Sequence, residues 1–128
     1  DELMAMSAHI VFTAYDDRDP ATISPVVIEE VIRGHIGFDG LLVSDDTSMN
    51  ALKGTIGERA ARIMGGGCDI VLHCNGLMDE MKAVVREVVP LSGKALQRAE
   101  AVERGFAAPD ASDEQTLRAE FHEMMAVA

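Results

Sequence analysis

Gly40-Leu41-Leu42-Val43-Ser44-Asp45-Asp46-Thr47-Ser48-Met49 is the stretch from which the architecture follows. A short apolar run, Leu41 to Ser44, comes after a glycine-containing turn and ends in two adjacent carboxylates. An apolar run without polar alternation suits a strand buried on both faces, as in a parallel sheet covered by helices. Functional groups of parallel α/β folds collect at the carboxyl ends of their strands. Asp45 is therefore the candidate catalytic carboxylate. Successive side chains on extended backbone point to opposite sides, so Asp46 cannot easily face the same atom. It reads as a loop-holding residue that accepts from backbone N–H groups, with contact to substrate as the other possibility.

Working outward, Leu3 to Ala8 reads as a second buried strand ending at His9, where a substrate contact and a histidine satisfied by a neighbouring loop are both open. A long polar connection, Thr13 to Thr22, carries Asp16, Asp17 and Asp19, which read as a solvated turn. Ser24-Pro25 opens a helix: Ser24 caps it, and Pro25 lacks the N–H that would go unpaired. Val27, Ile28, Val31 and Ile32 form its apolar stripe, with Gly34 as the expected stop. Downstream, Thr55-Ile-Gly-Glu58 fits a capping box, and Gly65-Gly66-Gly67 ends that helix in a tight turn. Ile70 to Cys74 is the third expected strand, and a helix from about Leu77 to Val89 stops at Pro90. The strand–helix alternation specifies parallel strands with helical crossovers. Beyond Pro90 the character changes. Lys94 to Arg104 has Ala95, Leu96, Ala99 and Val102 as its stripe, a loop contains Pro109, and Ser112 with Gln115 starts a last helix.

The 128 residues carry 11 Lys plus Arg against 22 Asp plus Glu, a formal net charge of −11. Such a field repels phosphate backbones and anionic lipid, so nucleic-acid and membrane-surface roles are not expected. No apolar run approaches the roughly 20 residues of a membrane span. Cys68 and Cys74, with no CxxC pattern and no signal-peptide core, read as reduced thiols in a cytoplasmic protein. His73-Cys74 falls short of a zinc set, and neither a metal nor a cofactor is expected. His35 and His122 read as solvated surface residues. Three parallel strands are few for a free-standing sheet, and residue 1 is not Met. Both lead to the expectation that the chain is the tail of something larger.

Met6-Ser-Ala-His-Ile-Val-Phe12, Pro20-Ala-Thr-Ile-Ser-Pro25, Gly37-Phe-Asp-Gly-Leu-Leu-Val-Ser-Asp-Asp-Thr-Ser-Met49 and Gly67-Cys-Asp-Ile-Val-Leu72 occur in this order and together resemble glycoside hydrolase family 3. The nearest resemblance is to its bacterial β-N-acetylhexosaminidase branch, over roughly residues 3 to 105. The resemblance implies an α/β fold: about three βα units, the sixth to eighth, of a (β/α)₈ TIM barrel over residues 1–92. Residues 93–128 then form a helical extension packed on the barrel. It implies a retaining mechanism with Asp45 as nucleophile, and His9 and Asp46 as candidates to touch the sugar. The implied substrate is terminal N-acetylglucosamine on peptidoglycan-derived muropeptides, released during cell-wall recycling in the cytoplasm. In that branch the acid/base His, its Asp partner and the sugar-binding Lys-His and Arg lie earlier in the barrel, in segments absent here. The expected partner is that missing amino-terminal part, without which the chain is expected to be inactive.

An acidic pair after a buried strand also describes magnesium-dependent phosphoryl transfer. That chemistry wants a further carboxylate and a Lys or Ser/Thr at neighbouring strand ends, where this sequence offers His9 and His73-Cys74. A non-catalytic structural fragment is the remaining reading, because a cut sheet edge invites pairing with another chain.

Overall fold

The computed structural model describes residues 3–106 and 113–126. At its centre, β2 (Leu41–Val43) pairs in parallel with β1 (Met4–Met6), in the register Met4 with Leu41, Ala5 with Leu42 and Met6 with Val43. Parallel neighbours need a long crossover. Here it holds a 3₁₀ turn, Ala21–Ile23, and a π-helix, Val26–His35. Then follow α1 (Ile56–Gly66), α2 (Met78–Glu87), α3 (Gly93–Gly105) and α4 (Glu114–Ala126).

The sheet's two faces differ. Ala5 and Leu42 lie on the face covered by helices, where Leu42 joins Ile23, Ile28, Leu52, Ile63 and Cys68 in the core. Burying side chains such as Ile28, Leu42 and Ile63 stabilises the fold by about 1.5–3 kcal/mol each. Across the pleat, Met4 and Met6 are 50% and 60% exposed. The expected buried strand from Leu3 to Ala8 is thus shorter, and only one of its faces is covered.

The third expected strand, Ile70 to Cys74, is reduced to a single parallel bridge between Ile70 and Val43. Ser44 N–H donates to Ile70 C=O at 2.9 Å, but the N–H of Leu72 then turns to the Ser44 hydroxyl, also at 2.9 Å. A side chain has taken the place of a ladder carbonyl, and regular pairing stops there.

Ser24 caps the crossover helix as expected, its hydroxyl accepting from Val27 N–H at 3.1 Å. That hydroxyl in turn donates to Asp16 at 2.6 Å. Asp16 also accepts the N–H groups of Arg18 and Asp19, so the acidic connection is an organised Asx turn tied to the helix start. Gly34 is not the stop. The helix runs to His35, and the left-handed residue that ends it is Gly37, φ 74°. Gly34 serves the wide winding instead, since a Cβ there would lie 3.2 Å from Glu29 C=O, five residues earlier. Thr55 and Glu58 form the expected capping box, and Gly67 closes α1 in the left-handed conformation at φ 107°.

At the amino ends of the strands, Asp69 is a buried hub. One of its oxygens accepts from Arg33 at 2.8 Å and from Leu42 N–H at 2.9 Å; the other accepts from Arg98 at 2.9 Å. Arg98 thereby ties α3 to the sheet. The expected apolar stripe of α3 is weaker than its spacing suggests, for Leu96 is exposed and no residue of this helix is fully buried. The start of α4 is capped by Asp113, whose carboxylate accepts from Thr116 N–H at 3.0 Å. Ser112 and Pro109 lie outside the described residues.

Candidate active site

β2 ends at Val43 and Ser44 is fully buried, so the backbone entering Asp45 is anchored from behind. Asp45 is half-buried, and one carboxylate oxygen accepts the N–H of Asp46 at 2.8 Å. A carboxylate at a strand end, with one oxygen held by an amide, is fixed in aim and keeps its second oxygen for chemistry.

Asp46 is occupied differently. One oxygen accepts the N–H groups of Ser48 at 3.0 Å and Cys74 at 3.1 Å, and the other accepts the Ser48 hydroxyl. Burial works to raise its carboxyl pKa; the Ser48 hydroxyl and N–H, the Cys74 N–H and the nearby His73 outweigh it and hold the group below the ordinary 3.8. Asp46 therefore pins the Ile70 to Cys74 segment to the Asp45 loop.

His9 uses both ring nitrogens on the protein. Nε2 lies 2.9 Å from Asp46 C=O and Nδ1 lies 3.0 Å from the Thr22 hydroxyl. In this arrangement neither nitrogen is left over for a ligand. His73 Nδ1 sits 2.7 Å from the Thr47 hydroxyl. Its Nε2 is 3.2 Å from Glu80 yet makes no hydrogen bond, so the two atoms are close but off the bonding line. The Cys74 thiol is raised by local desolvation first, then by the negative Asp46 and Asp45. Burial pushes Cys68 up to about 11. Both are protonated thiols at neutral pH. Among the described residues no three His, Cys, Asp or Glu side chains gather as a metal site requires.

Sequence reasoning missed the polar residues that build this shell. Thr22, Ser44 and Thr47 are fully buried and bond His9, Leu72 N–H and His73 respectively. The available signal was a hydroxyl inside an apolar segment, as in Ala21-Thr22-Ile23, because a buried hydroxyl needs a partner.

A short parallel α/β unit with a half-buried acid at the carboxyl end of its central strand has the layout of a strand-end active site. The chain matches the family described as "Glycosyl hydrolase family 3 N terminal domain" over residues 2–104, and it belongs to that family. It is 38% identical over 119 residues to the beta-hexosaminidase of Chromobacterium violaceum, covering 82% of this chain and 32% of that protein. It is 43% identical over 72 residues to the beta-hexosaminidase of Tolumonas auensis, covering 55% of this chain and 21% of that one. Among solved structures it is similar to a glycoside hydrolase family 3 beta-N-acetylglucosaminidase from Paenibacillus sp. str. FPU-7. That likeness has a TM-score of 0.63 at 27% identity, over 87% of this chain and 24% of that one. The chain thus spans between a fifth and a third of the length of these relatives.

Proposed function

We propose that the chain supplies the nucleophile-bearing, closing part of a (β/α)₈ barrel in a retaining β-N-acetylhexosaminidase, with Asp45 as the nucleophile. Residues 1–92 would contribute the last three βα units and residues 93–128 the helices outside them. The observation that carries the reading is Asp45 itself, at the carboxyl end of β2 with one oxygen held by Asp46 N–H. Two facts support the partial barrel. On one face of the parallel sheet Met4 and Met6 of β1 are uncovered, although Leu41 beside Met4 is buried, and the relatives are several times longer than the matched region. In this role Asp45 attacks the anomeric carbon as the glycosidic bond breaks and its oxygen leaves protonated by a general acid. Water, deprotonated by that same group, then displaces Asp45 and releases the sugar.

A retaining site also needs a proton donor about 5–5.5 Å from the nucleophile. Among the polar side chains of the neighbouring loops, Asp46 is committed to Ser48 and Cys74 and His9 to Thr22 and Asp46, while His73 is held at Nδ1 by Thr47. On this reading the acid/base group comes from the rest of the barrel, as the family resemblance implies, and the 128 residues alone do not turn over. Terminal N-acetylglucosamine is the substrate suggested by the similar beta-N-acetylglucosaminidase structure, alongside the beta-hexosaminidase relatives. Muropeptide as its carrier follows the family resemblance.

Assay on an aryl N-acetylglucosaminide tests the reading. The isolated chain is expected to be inert, and the complete enzyme active. In the complete enzyme Asp45→Asn is expected to lower kcat on the order of 10⁴-fold or more, as loss of a covalent nucleophile does. Turnover by the isolated chain at ordinary hydrolase rates, or a fully active Asp45→Asn enzyme, overturns it.

A further inference from the structure

The backbone of Asp46, the residue after Asp45, is held on both sides of its Cα. Asp46 N–H donates to the Asp45 carboxylate at 2.8 Å, and Asp46 C=O lies 2.9 Å from His9 Nε2. A carbonyl oxygen only accepts, so Nε2 carries the hydrogen. In the neutral ring Nδ1 is then bare and accepts from the Thr22 hydroxyl, 3.0 Å away. Thr22 is fully buried, and its oxygen accepts from the Ser7 hydroxyl at 2.9 Å. The bonds run in one direction, Ser7 to Thr22 to His9 to Asp46 C=O. One tautomer of His9 satisfies all three bonds. This chain joins the end of β1, the 3₁₀ turn and the loop bearing the acid.

We propose that His9 is the positioning residue for Asp45. By holding the carbonyl of residue 46 it anchors the Asp46–Thr47 peptide plane, and through the Asp46 backbone it restrains the preceding plane, which carries the Asp46 N–H. That N–H engages one oxygen of Asp45 and leaves the other for attack. The Asp46 carbonyl sets which ring nitrogen is protonated, and Thr22, backed by Ser7, holds the other nitrogen and so the ring's orientation. The proposal rests on the reading of Asp45 as nucleophile, and it assigns His9 no contact with substrate.

Misplacing a reacting group by about 1 Å costs on the order of 10²-fold in rate. In the complete enzyme His9→Leu is accordingly expected to lower kcat about 10–100-fold with KM unchanged. His9→Gln, whose amide N–H reaches about as far as Nε2–H, is expected to recover most of the loss. Wild-type KM and kcat in His9→Leu overturn the proposal, and so does a His9→Gln enzyme as slow as His9→Leu. Asp45→Asn run in parallel separates the two readings, since full activity in that variant sinks the nucleophile whatever His9 does. Nitrogen-15 spectra of the wild-type imidazole need neither turnover nor a stable variant. They are expected to show His9 protonated at Nε2 and bare at Nδ1; the opposite tautomer overturns the hydrogen-bond chain.

Discussion

Two neighbouring carboxylates of like chemistry have been given different work by their surroundings. Asp45 leaves β2 with one amide bond, whereas Asp46 receives two N–H groups and a hydroxyl. The sign of the Asp46 shift fixes how its cross-link responds to acid. Its folded pKa lies below the ordinary 3.8, so the ionised form stabilises the folded loop. That contribution is fully present above about pH 4 and is lost as pH falls through the lower folded value. Asp16, Asp39, Glu58 and Asp113 are also lowered, Asp16 chiefly by the Ser24 hydroxyl and Asp39 chiefly by Arg98. Global acid unfolding would therefore blur five groups together. Amide exchange at Ser48 and Cys74, the two N–H donors to Asp46, reads this group alone. Protection there is expected to fall below pH 4 in the wild type. In Asp46→Asn, which cannot be neutralised by acid, it is expected to be weaker at pH 7 and insensitive to that window. An unchanged profile in the variant would show that the carboxylate does not hold the loop.

At the scale of elements, α1 shows what patterning reveals and what it conceals. Its start was legible because Thr55 and Glu58 satisfy each other's donors locally, with no need of the rest of the fold. Its end was legible because Gly67 takes a left-handed conformation that side chains avoid. The demand on Gly66 was hidden, since it is set by another element: a Cβ there would meet the Ile23 backbone at 2.9 Å. Gly66→Ala is expected to push α1 from the 3₁₀ turn and destabilise by about 1–3 kcal/mol, as overpacking does. Gly65, with open space around it, is the control; its Ala variant is expected to be neutral or slightly stabilising. Chemical denaturation of the pair reads the difference directly, and equal stabilities would refute the close approach. The same division between local and distant causes explains the other outcomes. The helix cap at Ser24 was readable, but the true stop at Gly37 was not, because Gly34 offered the same local cue and only the π-winding separates them. The strand run Ile70 to Cys74 is apolar enough to pair, yet the Ser44 hydroxyl intercepts its ladder. The nucleophile candidate was visible as an acid after an apolar run. The chain behind it, Ser7, Thr22 and His9, was not, because those residues meet only after the crossover folds back.

At the scale of the whole molecule, the proposed nucleophile and the buried ion-pair hub lie at opposite ends of the strands. Asp45 lies at the carboxyl ends, while Asp69 gathers Arg33, Arg98 and Leu42 N–H at the amino ends. In barrel-type folds the amino-end face serves stability and the carboxyl-end face serves function. Asp69 joins the π-helix, β2 and α3 through one buried carboxylate whose side chain is 6% exposed. Removing it leaves Leu42 N–H without its acceptor and takes the buried carboxylate from both guanidiniums, Arg33 keeping the Phe38 and Gly40 carbonyls and Arg98 keeping Asp39. Asp69→Ala is therefore expected to cost about 3–5 kcal/mol, the penalty for breaking a buried pair. That is a large share of the 5–15 kcal/mol that holds an ordinary domain together. Arg98→Ala removes one arm and leaves Arg33 and Leu42 bonded, so its cost is expected to be smaller and confined to α3, as faster amide exchange in that helix. The two variants discriminate between accounts of the fold's cohesion. If α3 were held mainly by its apolar stripe, Arg98→Ala would leave its exchange untouched. If the sheet and π-helix were held by the core around Ile28 and Ile63 alone, Asp69→Ala would cost less than about 1 kcal/mol. Neither variant reaches the Asp45 loop, so in the complete enzyme kcat at a temperature where both remain folded is expected to match the wild type. A specific loss of kcat in Asp69→Ala would mean that the two ends of the strands are coupled and not independent.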